Sequence, residues 1–247
     1  MTDLIVPAFK QAINLIITGN PDLYGAVYRS FYTAGLGTLL SCVWSLPIAV
    51  ILGLYNFRGK WFVKGIFNAL IGVPTVALGL VLYLFLSRQG EFGSFHLLYT
   101  LNGITLGQAI LVTPIIVSFS SNALSTSDIQ LRDLAKTLGA SGLRTDLTII
   151  RETFWSMILS ITASFNRAFG ELGIALLVGG NFVGATQVLT TAIGFQTDLG
   201  HFANAVAYGI ILVGIVIIMA LTISLIERLR QVDSWGKLSL WRGLGGS

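Results

Sequence analysis

Few residues in this chain are equipped for chemistry, and two of them stand four apart inside an apolar run. Arg167 and Glu171 are the only charges between Thr153 and Thr197. On a helix they share one face, the spacing of an i,i+4 ion pair. Burying either charge alone in hydrocarbon is costly, so ionisable residues at such a depth are paired or mark a pathway. One reading makes the pair structural, fixing the helix in its bundle. The other sets the guanidinium beside a pore, where it attracts an anion or stabilises a gate. Asn181, Thr186, Gln187, Thr190 and Thr191 follow, donors of the kind that hold a tetrahedral dianion. Such side chains also hydrogen-bond helix to helix in any membrane bundle. Catalytic alternatives are thin. Cys42 is single, which rules out an intrachain disulfide and a cysteine metal site. No Gly-x-x-x-x-Gly-Lys-Ser/Thr phosphate loop occurs, and Gly59-Lys60-Trp61 lacks both the hydroxyl residue and the spacing.

A second constellation lies in residues 123–152. Ser127 or Asp128 can cap a helix start. Leu131, Leu134, Ala135 and Leu138 then fall at i, i+3, i+4 and i+7 and form an apolar face, with Arg132, Asp133 and Lys136 on the others. Gly139 stops that helix, and Ser141 can cap a second one running through Leu147 and Ile150. A helix with such a stripe buries it in a partner's groove or rests on a membrane surface, and spacing alone favours neither.

The elements that position these residues are set by composition. The 247 residues are 54% hydrophobic and 11% charged, with a mean hydropathy of +0.80. Charged residues form about a quarter of a soluble domain, so lipid is the solvent for most of this chain. About 20 residues of helix cross the hydrocarbon, and charge-free runs predict spans near 31–55, 65–87, 103–122, 154–178 and 203–226. The expected fold is an all-α polytopic bundle of five transmembrane helices, with 123–152 as its main loop, over a single domain 1–230 and a short tail 231–247. Pro47, Pro74 and Pro114 fall within spans, where neighbouring helices can satisfy the freed carbonyls. Residues 4–18 are too short to span and read as an interfacial amphipathic helix. Grouping the 56–64 loop, the 123–152 loop and the tail places eleven Lys and Arg on one side. Lys10, Arg29 and Arg88 are left on the other. That bias predicts a cytoplasmic C-terminus and an N-terminus outside. Because the basic residues flank the membrane rather than mass on one face, the charge of +4 does not indicate nucleic acid.

Asp133-Leu134-Ala135-Lys136-Thr137-Leu138-Gly139-Ala140-Ser141, with Ile149 ten residues after Gly139, resembles the EAA loop of ABC importer permeases. It departs from that pattern at Asp133, at Leu134, and at Arg151-Glu152, where Leu-Pro is usual. Asn166-Arg167-Ala168-Phe169-Gly170-Glu171-Leu172-Gly173, followed by Gly179-Gly180-Asn181-Phe182-Val183-Gly184, resembles the segment shared by oxyanion permeases for molybdate, sulfate and tungstate. Residues Thr186 to Ile193 look most like the tungstate-type subgroup. The resemblance implies a type I permease of the cytoplasmic membrane, acting with a second copy of itself. It also implies two ATPase subunits that bind ATP and magnesium and an extracytoplasmic oxyanion-binding protein. Asp133, Leu134, Ala135, Lys136, Leu138, Gly139, Ala140 and Ser141 would dock in the ATPase. Arg167, Glu171, Asn181 and Thr190 would line the translocation path or its gate. No cofactor and no catalytic residue is expected in this chain. An ion-coupled secondary transporter using Arg167 and Glu171 is the alternative class; such carriers often show internal repeats, and none is visible here. A membrane assembly subunit is a third.

Overall fold

The computed structural model describes the backbone of residues 2–137 and 141–222, and the side chains of residues 6–127 and 141–222. Among the described residues every long element is helical. They are α1 (Thr2–Ile17), α2 (Pro21–Leu54), α3 (Lys60–Leu70), α4 (Thr75–Leu86), α5 (Leu101–Thr137), α6 (Gly142–Phe169), α7 (Gly173–Gly179), α8 (Leu189–Asp198) and α9 (Phe202–Thr222). The tail 231–247 lies outside the described residues.

Three helices are each long and apolar enough to cross a membrane: α2, the Leu101–Ser127 part of α5, and α9. Two bent pairs, α3 with α4 at 97° and α6 with α7 at 58°, are long and apolar enough only when taken together, which brings the candidate spans to five if each pair is one span. The stretches 65–87 and 154–178, expected as single spans, are helical but broken. Pro74 explains the first break: it offers no N–H, and it pushes the residue before it out of the helical region. Pro74 itself is extended (φ −61°, ψ 124°) and stands at the start of α4.

Local signals fix the other ends. The Asn20 side chain accepts a hydrogen bond from Leu23 N at 3.0 Å, and Pro21 supplies a helical φ at the first position of α2. Gly59 at φ 91° opens α3, a conformation that glycine adopts without strain. Nothing interrupts α5 at Ser127 or Asp128: the helix expected to start there is a direct continuation of the third crossing. Packing on one side and good helix formers on the other outweigh a capping residue that has no break to cap.

α5 is the central post, packed along α2 and α6, while α4 packs against α7. The largest core cluster joins Ala34, Val112, Ile116, Phe169, Leu189 and Ile211, which come from α2, α5, α6, α8 and α9. A second, around Leu54, Leu124, Ile149 and Met157, closes the opposite end. Leu39, Val43 and Ile218 point outward from the bundle, as a lipid solvent permits. In α1, Ala8 and Ala12 are buried while Phe9, Ile13 and Ile16 are exposed, and Gln11 Nε2 donates to Asn204 Oδ1 at 3.2 Å. At 16 residues α1 reaches about 24 Å, short of a crossing.

Candidate functional site

The bend between α6 and α7 holds a buried carboxylate, Glu171, and the segment after it buries Thr186, Gln187, Thr190 and Thr191. Gly170 and Gly173 bracket the bend. A methyl group on Gly173 would lie 2.9 Å from Val76 N, so only glycine lets α7 start this close to the first turn of α4. Gly79 on α4 sits against the Gly173 carbonyl in the same crossing.

Glu171 stands at this bend and is 2% exposed. Its Oε2 accepts from Arg167 Nη1 at 2.8 Å, and its Oε1 accepts from Ile174 N at 3.2 Å, within the first turn of α7. Its carbonyl accepts from Thr190 Oγ1 at 2.7 Å. One residue thus ties the end of α6, the start of α7 and the start of α8. Arg167 differs: its side chain is 40% exposed and only Nη1 is engaged with the carboxylate. Both acceptor oxygens of Glu171 are committed to structure, whereas the guanidinium retains donors at an accessible surface.

The segment between α7 and α8 is a tight hairpin. Gly180 (φ 71°), Asn181 (φ 53°) and Gly184 (φ 78°) all take left-handed backbone, and the Phe182 carbonyl accepts from the amides of Ala185, Thr186 and Gln187. Thr186 Oγ1 donates to Gly179 O at 2.6 Å and accepts from Phe182 N at 3.0 Å. Thr191 Oγ1 accepts from Val188 N at 3.0 Å. Tyr99 covers the hairpin, edge-on to Phe182 with ring centroids 5.6 Å apart. Asn166 Oδ1, Asn181 Oδ1 and Gln187 Nε2 are buried and have no hydrogen-bond partner among the described residues. Buried polar groups are nearly always paired, and strained backbone gathers at functional sites, so this concentration makes the segment the candidate site.

All four residues expected on a path or gate fall in this region, and Glu171 joins Arg167 and Thr190 directly. The sequence reading missed Arg29, which it counted as an outer-loop charge. Arg29 lies two turns inside α2, is 9% exposed, and donates to Gln187 O at 2.6 Å and Gly184 O at 3.3 Å. The missed signal is Pro21 after Asn20, a helix-start pair that places Arg29 inside the helix.

The 128–150 elements sit at the other end of α6. From Gly142 to Arg167 the helix rises about 38 Å. The backbone of Asp133, Leu134, Ala135 and Lys136 forms the last turns of α5, while Leu138, Gly139 and Ala140 lie outside the described residues. Ser141 occupies the cap position of α6, where its carbonyl accepts from Thr145 N at 3.0 Å; its side chain makes no capping bond. α5 has 37 residues, about 55 Å, against a hydrocarbon thickness of about 30 Å, so the helix outruns a bilayer. Leu143 and Leu147 are 76% and 58% exposed on one face of α6.

Residues 45–231 match the family of binding-protein-dependent transport system inner membrane components. The chain belongs to this family. It is the membrane permease of an ABC transporter, and a binding protein and an ATPase are the partners that this class of permease implies. Among its relatives, the tungstate uptake system permease protein TupB of Peptoclostridium acidaminophilum is 32% identical over 85% of this chain and 92% of its own. TupB of Campylobacter jejuni is 32% identical over 85% and 88%. A probable anion ABC transporter permease of Haloferax volcanii is 35% identical over 76% and 83%.

Proposed function

We propose that this permease carries tungstate into the cell as a homodimer, powered by two ATPase subunits that grip the 128–150 elements. The supporting observation is the likeness to tungstate uptake permeases along nearly the whole chain. The geometry supports the rest. The helix pair that outruns the bilayer and displays Leu143 and Leu147 supplies an apolar stripe for a cleft in another protein. Asp133, Leu134, Ala135, Lys136, Leu138, Gly139, Ala140 and Ser141 make up the gripped segment. Its excess of Lys and Arg orients that end towards the cytoplasm, with the N-terminus outside.

Movement of the gripped segment, the lever of the transporter, would travel along α5 and α6 to the bend, where Arg167, Glu171, Asn181 and Thr190 form the gate. The half-open Arg167 guanidinium attracts the dianion as it arrives from the extracytoplasmic binding protein, and the Glu171 knot moves as a unit. ATP binding draws the ATPases together and switches the pore between two arrangements, with no chemistry in the permease itself. ATP and magnesium sit in the partner ATPase. An ion-coupled mechanism through Arg167 and Glu171 finds no support in a carboxylate whose two oxygens are both engaged.

The test is uptake into proteoliposomes holding the permease and its ATPase, with the loaded binding protein outside. ATP-dependent tungstate uptake that excess molybdate or sulfate inhibits only weakly supports the assignment. Uptake driven by a proton gradient without ATP, or sulfate preferred over tungstate, overturns it.

A further inference from the structure

Arg29 is the one cation of α2 and is 9% exposed, and the transport reading above gives it no part in the gate. We infer that Arg29 and Ser30 form a clasp through which α2 holds the gate hairpin closed; the inference rests on the transport reading above. The two neighbours hold successive parts of one segment, 184–187 and 189. Arg29 Nε and Nη1 donate to the Gln187 and Gly184 carbonyls, while Ser30 Oγ accepts from Leu189 N at 2.9 Å, at the first residue of α8. Ser30 Oγ also donates to the Ala26 carbonyl at 2.8 Å, which fixes its lone pairs towards Leu189.

An arginine suits the task for a physical reason. Its planar fork can reach two carbonyls at once, whereas a lysine ammonium on a flexible stem has no fixed pair of donors. A buried charge in a membrane protein is retained only where its donors are satisfied, and these two carbonyls come from the hairpin rather than from α2. Gly25 provides the groove: a methyl group there would press on the guanidinium at 3.0 Å. The clasp is continuous with the Glu171 knot, because Thr190, next to the clasped Leu189, donates to the Glu171 carbonyl. Hairpin, α7 and the end of α6 are therefore hung from α2. Arg29 is a positioning residue, acting through the backbone it holds and not by touching the anion.

The experiment uses the full complex of permease and ATPase in proteoliposomes preloaded with tungstate and free of ATP. Passive efflux reads the closed gate, and ATP hydrolysis reads assembly. For Arg29→Ala we expect efflux to rise about tenfold, the effect of removing a charge-assisted bond from one of two states, with ATP hydrolysis retained. Arg29→Lys should leak at an intermediate rate. Ser30→Ala removes one neutral acceptor and should leak about threefold faster; it carries the test where Arg29→Ala does not assemble. Efflux at the wild-type rate in assembled Arg29→Ala and Ser30→Ala complexes overturns the clasp. Hydrogen exchange in the purified permease gives a readout independent of cargo: the amides of 184–190 should exchange faster in Ser30→Ala, and unchanged exchange overturns the clasp. A wild-type complex that takes up no tungstate while these amides respond sinks the transport reading and leaves the clasp standing.

Discussion

At its Phe169 end, α6 runs into a knot of buried polar groups; at its Gly142 end, it displays bare leucines. All three oxygens of Glu171 are bound within the chain, to Arg167, Ile174 and Thr190. Around Leu143 and Leu147 the chain leaves apolar surface uncovered. The knot ties the end of α6 to α7 and α8 and is suited to moving as a body. The far end keeps an apolar face exposed; in the proposed transport cycle the ATPase covers it, so the free energy that biases the switch would enter there.

The largest effect should come from the uncovered end. Gly139→Asp puts a charge and a Cβ in the middle of the gripped segment, and ATP-driven uptake should fall at least about thirtyfold, as at an interface hot spot. Immunoblots of membranes should show normal insertion. Full uptake by that variant would deny the segment its docking role. Glu171→Ala attacks the other end. It frees the Arg167 guanidinium and one amide of α7, and should lower stability by about 3 kcal/mol in thermal unfolding of the detergent-solubilised protein. A change under about 0.5 kcal/mol would mean that the knot holds nothing.

Leu147→Ala should be milder: about a tenfold weaker affinity for the ATPase in titrations, with permease stability unchanged, because the residue is already exposed in the isolated chain. Smallest of all is Ser120→Ala, midway along the helix pair, where Ser120 and Ser160 hydroxyls meet at 2.7 Å. It should cost about 0.6 kcal/mol of stability and leave uptake per folded transporter as it was. A large uptake defect there would place the moving part in the middle of the bundle rather than at its two ends.

Much of the helical layout was legible in the sequence. Hydropathy marked the apolar stretches that are helical here, because helices in lipid must satisfy their own backbone and show it as long charge-free runs, and the apolar periodicity over 131–138 predicted a helix whose backbone is helical to Thr137. The pairing of Arg167 with Glu171 followed from i,i+4 spacing. Three things did not follow. The 58° bend depends on how closely Gly173 approaches α4, which is a contact 97 residues distant in sequence between positions 76 and 173. The continuity of α5 past Ser127 overrides a local capping preference. The burial of Arg29 depends on carbonyls of the 184–187 turn, which no pattern around residue 29 announces.

The gripping of the lever is best tested by cross-linking. Leu147→Cys in a Cys42→Ser background, oxidised with cysteines placed along the ATPase surface, should yield a permease–ATPase adduct that blocks uptake until it is reduced. Adducts formed only between permeases, or full uptake by the cross-linked complex, would contradict the account.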